Sequence, residues 1–357
     1  MRLQPSSTTR QALAGAALLA VVIAAIGLGA QAFAEPYYQR LTFTFLVNLI
    51  AVIGLQVFMG NSNVTNLGHV SFMGIGAYVV AILAAPVAIK QSALATAPFG
   101  LGAISASVPV AIVAAIAVVL LVAFLVGLML VRQTGIPATI ATLALLVIVH
   151  VVLLNWVDLT RGPRAFYGIP IKATLGWATV CAIGAVVAAR LFRDSRWGLQ
   201  LRASSENVAA ASAMGVRIRR LRLAAWMLSA LLMGVAGILF ALFVGTISPK
   251  SFYFDLTFLT LAMLILGGTR SVTGAVVGAI VVTLGFETMR FLENGPELLS
   301  FKLPQMFGLT GFFLGAVIVL FMALRPEGIV GDDEVDEIWR RRRRRSSPAL
   351  KASLEAE

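Results

Sequence analysis

The chain has 357 residues, 59% hydrophobic and only 12% charged, with Lys and Arg (28) outnumbering Asp and Glu (16) for a net charge of +12 and a mean hydropathy of +0.92. A soluble domain carries about a quarter charged residues, so the composition excludes one and points to an integral membrane protein. The positive excess lies between apolar runs and at one terminus, where membrane topology explains it without nucleic acid. A single cysteine, Cys181, excludes an intrachain disulfide and a thiolate metal cluster.

Met1 to Arg10 is polar, and Gln11 to Ala30 is apolar. Ala32, Phe33 and Ala34 before Glu35 imitate a signal-peptidase site, but the apolar run exceeds the roughly 7–15 residues of an h-region, which favours a retained first helix. Leu41 to Met59 is a second span. In Gly60 to Tyr78, polar side chains and glycines interrupt the membrane pattern. Non-helical backbone at membrane depth is tolerated only against protein or water, so Asn66, His69, Ser71, Gly74 and Gly76 are candidates for a translocation path. Equally open is that Asn66 and His69 only bond across helices. The third span ends near Ala85, and Pro86 to Ser107, with Lys90, is an outer loop.

Val108 to Val131 returns inward and ends at Arg132. Ile136 to Trp156 goes back out, with Pro137 suited to its first turn and His150 read as packing in the bundle. The next outer loop carries Arg161 and Arg164, which either meet an acidic partner or an anionic group on a solute, or are simply solvated. Ala173 to Leu191 descends to a polar, basic stretch at residues 193–222. There Ser205 can cap a helix at Glu206, the alanines propagate it, and Gly215 suits its end. Ser205, Glu206, Asn207, Ala210, Ala213, Met214 and Gly215 are therefore candidates for docking a partner. The other reading is a solvated loop whose arginines set topology.

Leu223 to Val244 rises again, and Ile247 to Asp255 is outside. Leu256 to Leu266 is too short for a full crossing and breaks at Gly267-Gly268-Thr269-Arg270-Ser271 before Val272 to Phe286 continues. Short Gly-interrupted segments mark discontinuous helices lining a cavity, which makes Gly267 and Gly268 path candidates. Glu287 and Arg290 are spaced for an i,i+3 ion pair. Lys302 and Pro304 precede a last span, Met306 to Leu324. The tail is acidic at Asp332, Asp333, Glu334, Asp336 and Glu337, then basic from Arg340 to Arg345. Such blocks read as solvated or disordered, touching anionic membrane lipid rather than RNA. The expected fold is all-α: a polytopic helical membrane protein with about ten transmembrane segments, including short discontinuous helices. Residues 1–331 form the transmembrane domain and 332–357 a charged cytoplasmic tail.

Several of these runs occur together in one family. Leu67-Gly68-His69 with Gly74-Ile75-Gly76-Ala77-Tyr78, Gly168-Ile169-Pro170, Glu206 to Gly215 with Arg219 to Ala224, Ile247-Ser248-Pro249, Gly267-Gly268 with Gly274 and Gly278, and Arg325-Pro326-Glu327-Gly328 keep their order. Over roughly residues 40 to 331 the chain resembles LivM-type permeases, the membrane subunits of ATP-binding-cassette (ABC) importers for branched-chain amino acids. The resemblance implies that residues 193–222 are the coupling loop. It also implies two ABC ATPase subunits, a second homologous permease subunit and a periplasmic substrate-binding protein facing Arg161 and Arg164, all at a bacterial inner membrane. Arg161 stands where the family usually has a glycine, which widens the expected solute to related small polar molecules.

Alternating the spans puts both termini in the cytoplasm with Arg132, the arginines of residues 190–222 and Arg270, and leaves Arg40, Lys90, Arg161, Arg164, Lys172, Lys250, Arg290 and Lys302 outside. The chain has no Gly-x4-Gly-Lys-Ser/Thr phosphate loop, no Gly-x-Ser-x-Gly and no His-Glu-x-x-His. It is thus expected to be no enzyme, to need no cofactor or metal, and to draw ATP hydrolysis from a partner. Two alternatives stand: an ion-coupled secondary transporter, which needs acidic residues inside spans, and a permease of the same family for urea, amides or aromatic acids.

Overall fold

The apolar runs fold as helices because a backbone in lipid must satisfy its own N–H and C=O groups. The computed structural model describes residues 5–93, 98–294, 297–298, 301–302, 308–324, 327–331, 333–335 and 337. Arg2, Pro304, Met306, Arg325, Pro326, Asp332, Asp336 and the Arg340–Arg345 run lie outside the described residues. In chain order the helices are α1 (Pro5–Phe33), α2 (Pro36–Ser62), α3 (His69–Ala84), α4 (Val87–Ala93), α5 (Val108–Leu130), α6 (Ile136–Asn155), α7 (Val157–Thr160), α8 (Leu175–Asp194), α9 (Arg196–Glu206), α10 (Val208–Ala213), α11 (Ile218–Val244), α12 (Phe254–Gly267), α13 (Val272–Glu293) and α14 (Leu309–Leu324).

Among the described residues, eight helical stretches are long and apolar enough to cross a membrane. The two that make up the expected ten, α3 and α14, have 16 residues each. At 1.5 Å per residue such a helix spans about 24 Å, short of the roughly 30 Å of a hydrocarbon core. The chain is a polytopic helical membrane protein.

α2 is the central helix: Leu46, Leu49, Ile50, Ile53 and Leu55 are fully buried. It packs against α11, α8 and α13, while α11 also packs against α3 and α5, and α1 lies along α8. α5 is apolar all round, but only Ala111, Ala115, Val119, Ala123, Gly127 and, at its end, Leu130 are buried, about one per turn. Val110, Val113, Leu121 and Leu125 point outward, as expected of a helix with lipid on one side and a small-residue seam on the other. Trp226, fully buried on α11, donates its indole N–H to the Ala123 carbonyl (2.9 Å) across that seam. Its ring sits edge-on to Phe58 and Phe72.

The α3–α11 crossing is tighter still. A Cβ on Gly76 would lie 2.7 Å from the Gly234 carbonyl oxygen, and one on Gly237 would overlap the carbonyl oxygen of Met73. Neither position has room for a side chain.

At the end opposite the arginines, β1 (Phe166–Tyr167) pairs antiparallel with β2 (Thr246–Ile247), Phe166 against Ile247. β3 (Glu297–Leu298) pairs with β4 (Phe301–Lys302). The stretch expected as a plain outer loop after Ala85 contains α4, whose Lys90 is buried and donates to the Ile104 carbonyl (2.6 Å). Desolvation lowers the Lys90 pKa. The expected Glu287–Arg290 pair forms at 3.6 Å, and Glu287 also accepts from the Tyr37 hydroxyl.

Candidate functional site

Two places concentrate polar side chains: the arginine-rich end between α8 and α11, and a buried seam among α2, α3 and α12. At the first, Ser195 caps α9 by accepting the Gly198 N–H (3.2 Å). α9 ends at Glu206 and α10 begins at Val208.

The cap of this second helix is Asn207, not the expected Ser205. Ser205 lies inside α9 and donates to the Arg202 carbonyl (2.6 Å), whereas Asn207 accepts the Ala210 N–H (2.9 Å) and caps α10. Asn207 prevails because its backbone is extended (φ −147°, ψ 100°), the geometry a cap needs, while Ser205 is already helical. After α10 the chain turns at Gly215, which has φ +78°, and the Val216 N–H reaches back to the Ala211 carbonyl (3.1 Å).

α10 has no buried residue. Val208 and Met214 are exposed, Met214 by 85%. Grooves flank it on both sides, one of about 430 Å³ lined by Trp197, Met214 and Arg217, the other of about 510 Å³ lined by Arg132, Val208 and Ser212. A short capped helix with exposed apolar side chains, set between arginine-lined grooves, offers apolar surface beside charge at one edge of the bundle. Glu206 joins it to the α12–α13 break through Arg270 (3.1 Å).

Beneath it lies a charge cluster. Arg190, Arg193 and Asp194 fill the last turn of α8, and Arg190 and Arg193 both reach Glu334, at 2.9 and 3.1 Å. Burial, then the neighbouring Arg193, pushes the Arg202 pKa down to about 10, with Asp194, Glu334 and Glu337 acting the other way. Glu334, expected in a solvated tail, is completely buried. The charge pattern conceals this, because an acidic run gives no sign of which carboxylate meets a buried arginine.

In the seam, His69 spans two helices. Its Nδ1 faces the Asn66 carbonyl (3.0 Å), which can only accept, so Nδ1 carries the proton in the neutral ring and Nε2 accepts from the Thr260 hydroxyl (2.7 Å). The Asn66 side-chain oxygen accepts the Gly68 N–H (3.0 Å), while its amide nitrogen is buried without a protein partner among the described residues. So are the Ser71 hydroxyl, the Asn61 side-chain amide oxygen and both polar side-chain atoms of Gln56. Gln56 and Asn61 are absent from the sequence-based candidates; two amides in an otherwise apolar span are the signal that could have found them.

Gly74 packs on Phe252 and Gly76 on Gly234. Gly267 lies against Gly274 and Gly278, and Gly268 (φ +122°) against Gly331. Gly76, Gly267 and Gly268 permit close backbone contact, while Gly74 leaves room for the Phe252 side chain. His150 stacks on Tyr253 (3.8 Å), in the bundle as expected.

At the opposite end, Arg161 is in the left-handed region (φ 67°). That geometry suits a glycine and accounts for the one usual at this turn in the resembling family. Its guanidinium donates to the Ala165 carbonyl (2.7 Å) and lies over the Tyr167 ring. Arg164 is exposed close by. The structure keeps the two in one turn.

A family model described as the permease component of the branched-chain amino acid transport system matches residues 37–322. The chain is 29% identical over 321 residues to the high-affinity branched-chain amino acid transport system permease protein LivM of Escherichia coli K12, which covers 80% of this chain and 68% of that protein. It is 34% identical over 150 residues to the probable branched-chain amino acid transport permease protein LivH of Methanocaldococcus jannaschii, 40% of this chain and 43% of that one. To the autoinducer 2 import system permease protein LsrC of Escherichia coli it is 30% identical over 235 residues, 61% and 65% of the two chains. No solved structure matches.

Proposed function

The chain belongs to the family of branched-chain amino acid transport permeases, and from that membership we propose that it is the translocating subunit of an ABC importer worked by a separate ATPase. The observation that carries the reading is α10, a capped helix with no buried residue, held between two spans at the arginine-rich end. By the positive-inside rule that end and both termini face the cytoplasm. An ATPase subunit gripping α10 would move α9 and α8 with it, and through them the spans. The partners would be two such ATPases, a second permease of the same kind and a periplasmic binding protein meeting the turn with Arg161 and Arg164.

The solute path would follow the seam, where Gln56, Asn61, Asn66, Ser71 and His69 offer amides, a hydroxyl and an imidazole in an apolar wall. Such groups suit a small polar or zwitterionic solute, a branched-chain amino acid first. The similarity to an autoinducer 2 permease keeps other small polar solutes open, among them urea, amides and aromatic acids.

An ion-coupled transporter needs a carboxylate within its spans. Among the described residues the fully buried carboxylate is Glu334, which lies beyond α14 and is held by two arginines. The two readings separate in cells. Uptake of radiolabelled leucine, urea, a short amide and benzoate is expected to survive an ionophore and to stop when ATP is depleted. The opposite pattern would establish the ion-coupled reading.

A further inference from the structure

The segment after α14 does something no motif announces. The Ile329 and Val330 N–H groups donate to the Leu266 and Gly267 carbonyls at 2.8 and 3.1 Å, and so satisfy the last turn of α12. Four residues on, the Glu334 carboxylate accepts the Val272 N–H at one oxygen (2.9 Å) and the Thr273 N–H (3.0 Å) and hydroxyl (2.5 Å) at the other. It therefore occupies the first turn of α13, where free N–H groups and the helix dipole favour an anion. Ser271 donates to the Asp333 carbonyl (3.0 Å), and Val335 packs onto the core.

One strap thus caps both helices of the α12–α13 break. The same carboxylate receives Arg190 and Arg193 from the end of α8, and Arg193 also donates to the Arg270 carbonyl inside the break (3.1 Å). Glu334 is the point where the broken helix meets the element leading through α9 to the docking helix.

We propose that Glu334 is a positioning residue for transport, joining α8 to α13 so that displacement of the docking helix is delivered to the broken helix pair. The proposal rests on the permease reading above. It assigns the strap a role beyond closing helix ends: without the charge the caps can persist, but α13 no longer follows α8. Glu334→Gln keeps one acceptor oxygen for the α13 N–H groups, sets its NH2 in place of the other oxygen, and removes the attraction for the arginines. Thr273→Val, nearly isosteric, removes the hydroxyl that donates to the carboxylate.

The test uses the transporter purified whole through a tag on this chain, with Cys181→Ser and spin labels at Val21→Cys on α1 and Phe291→Cys on α13, both outward-facing. Distances are measured before and after ATP with vanadate, alongside ATP hydrolysis. This readout needs no knowledge of the solute. The parent protein is expected to shift its label distance with nucleotide; if it does not, the coupling reading fails and the strap with it. In Glu334→Gln the shifted population is expected to fall about tenfold, a usual size for a coupling free energy between sites, while hydrolysis continues. If that variant does not assemble, Thr273→Val is expected to lose part of the shift with an unchanged melting temperature. A full shift in the assembled Glu334→Gln protein, or in Thr273→Val where only it assembles, overturns the proposal. Glu334→Asp is expected to recover part of the lost shift, and no recovery would reduce the residue to a structural cap.

Discussion

Deleting Val208–Met214 is expected to bring ATP-driven uptake to background while the chain still inserts and the rest of the bundle keeps its melting temperature. The asymmetry follows from where α10 sits. None of its residues is buried, so the fold loses little. A partner holding Val208 and Met214 loses its apolar anchors, each worth about 2 kcal/mol or more when truncated at the centre of an interface. At about 1.4 kcal/mol per factor of ten, two such losses weaken the partner's hold roughly a thousandfold. Gly215→Pro should act in the same direction, since φ +78° is closed to proline. A milder variant grades the effect: Asn207→Ala removes the cap for about 1 kcal/mol and should reduce uptake without abolishing it. The measurement is uptake per inserted subunit; wild-type uptake in the deletion would remove α10 from the coupling path.

Replacing Gly237 by valine should instead destroy the folded subunit. A Cβ there overlaps the Met73 carbonyl oxygen, and the facing pair, Gly76 and Gly234, is nearly as close. Backbone on both sides leaves no flexible side chain to give way, so α3 and α11 must separate along their length. Overpacking a close contact costs about 1–3 kcal/mol, more when backbone has to move. Separation would also open the packing around Trp226. At Gly29 and Gly184 a Cβ would meet nothing within 4 Å, so valine there should melt like wild type. The readout is the melting temperature of the detergent-extracted protein; equal melting for all three variants would show that the crossing is not a tight one.

These two expectations differ in how far the sequence could support them. That residues 193–222 hold a helix between spans was legible from a capping Ser205, the alanines and Gly215. The exact start was not, because Ser205 and Asn207 are both good caps and only the backbone at 207 is extended. The discontinuity at Gly267–Ser271 was legible from its glycines. Its closure was not, since the strap that satisfies both helix ends arrives some sixty residues later, as with Glu334 on Thr273. Gly76 and Gly267 were legible as special positions, but a glycine beside a cavity and a glycine beneath a neighbouring backbone look alike in one dimension. His69 shows the same limit: its partner Thr260 is 191 residues away, and no local pattern connects them. Arg161 is the converse case, where a departure from a family's glycine becomes intelligible once its positive φ is seen.

A pathway without a motor concentrates nothing by itself. The direct measurement is accumulation of radiolabelled leucine in proteoliposomes holding the purified chain alone under an imposed ion gradient, beside vesicles holding the whole transporter with its binding protein and ATP on the ATPase side. Accumulation is expected only in the second set. Leucine concentrated against its gradient by the chain alone would contradict the account.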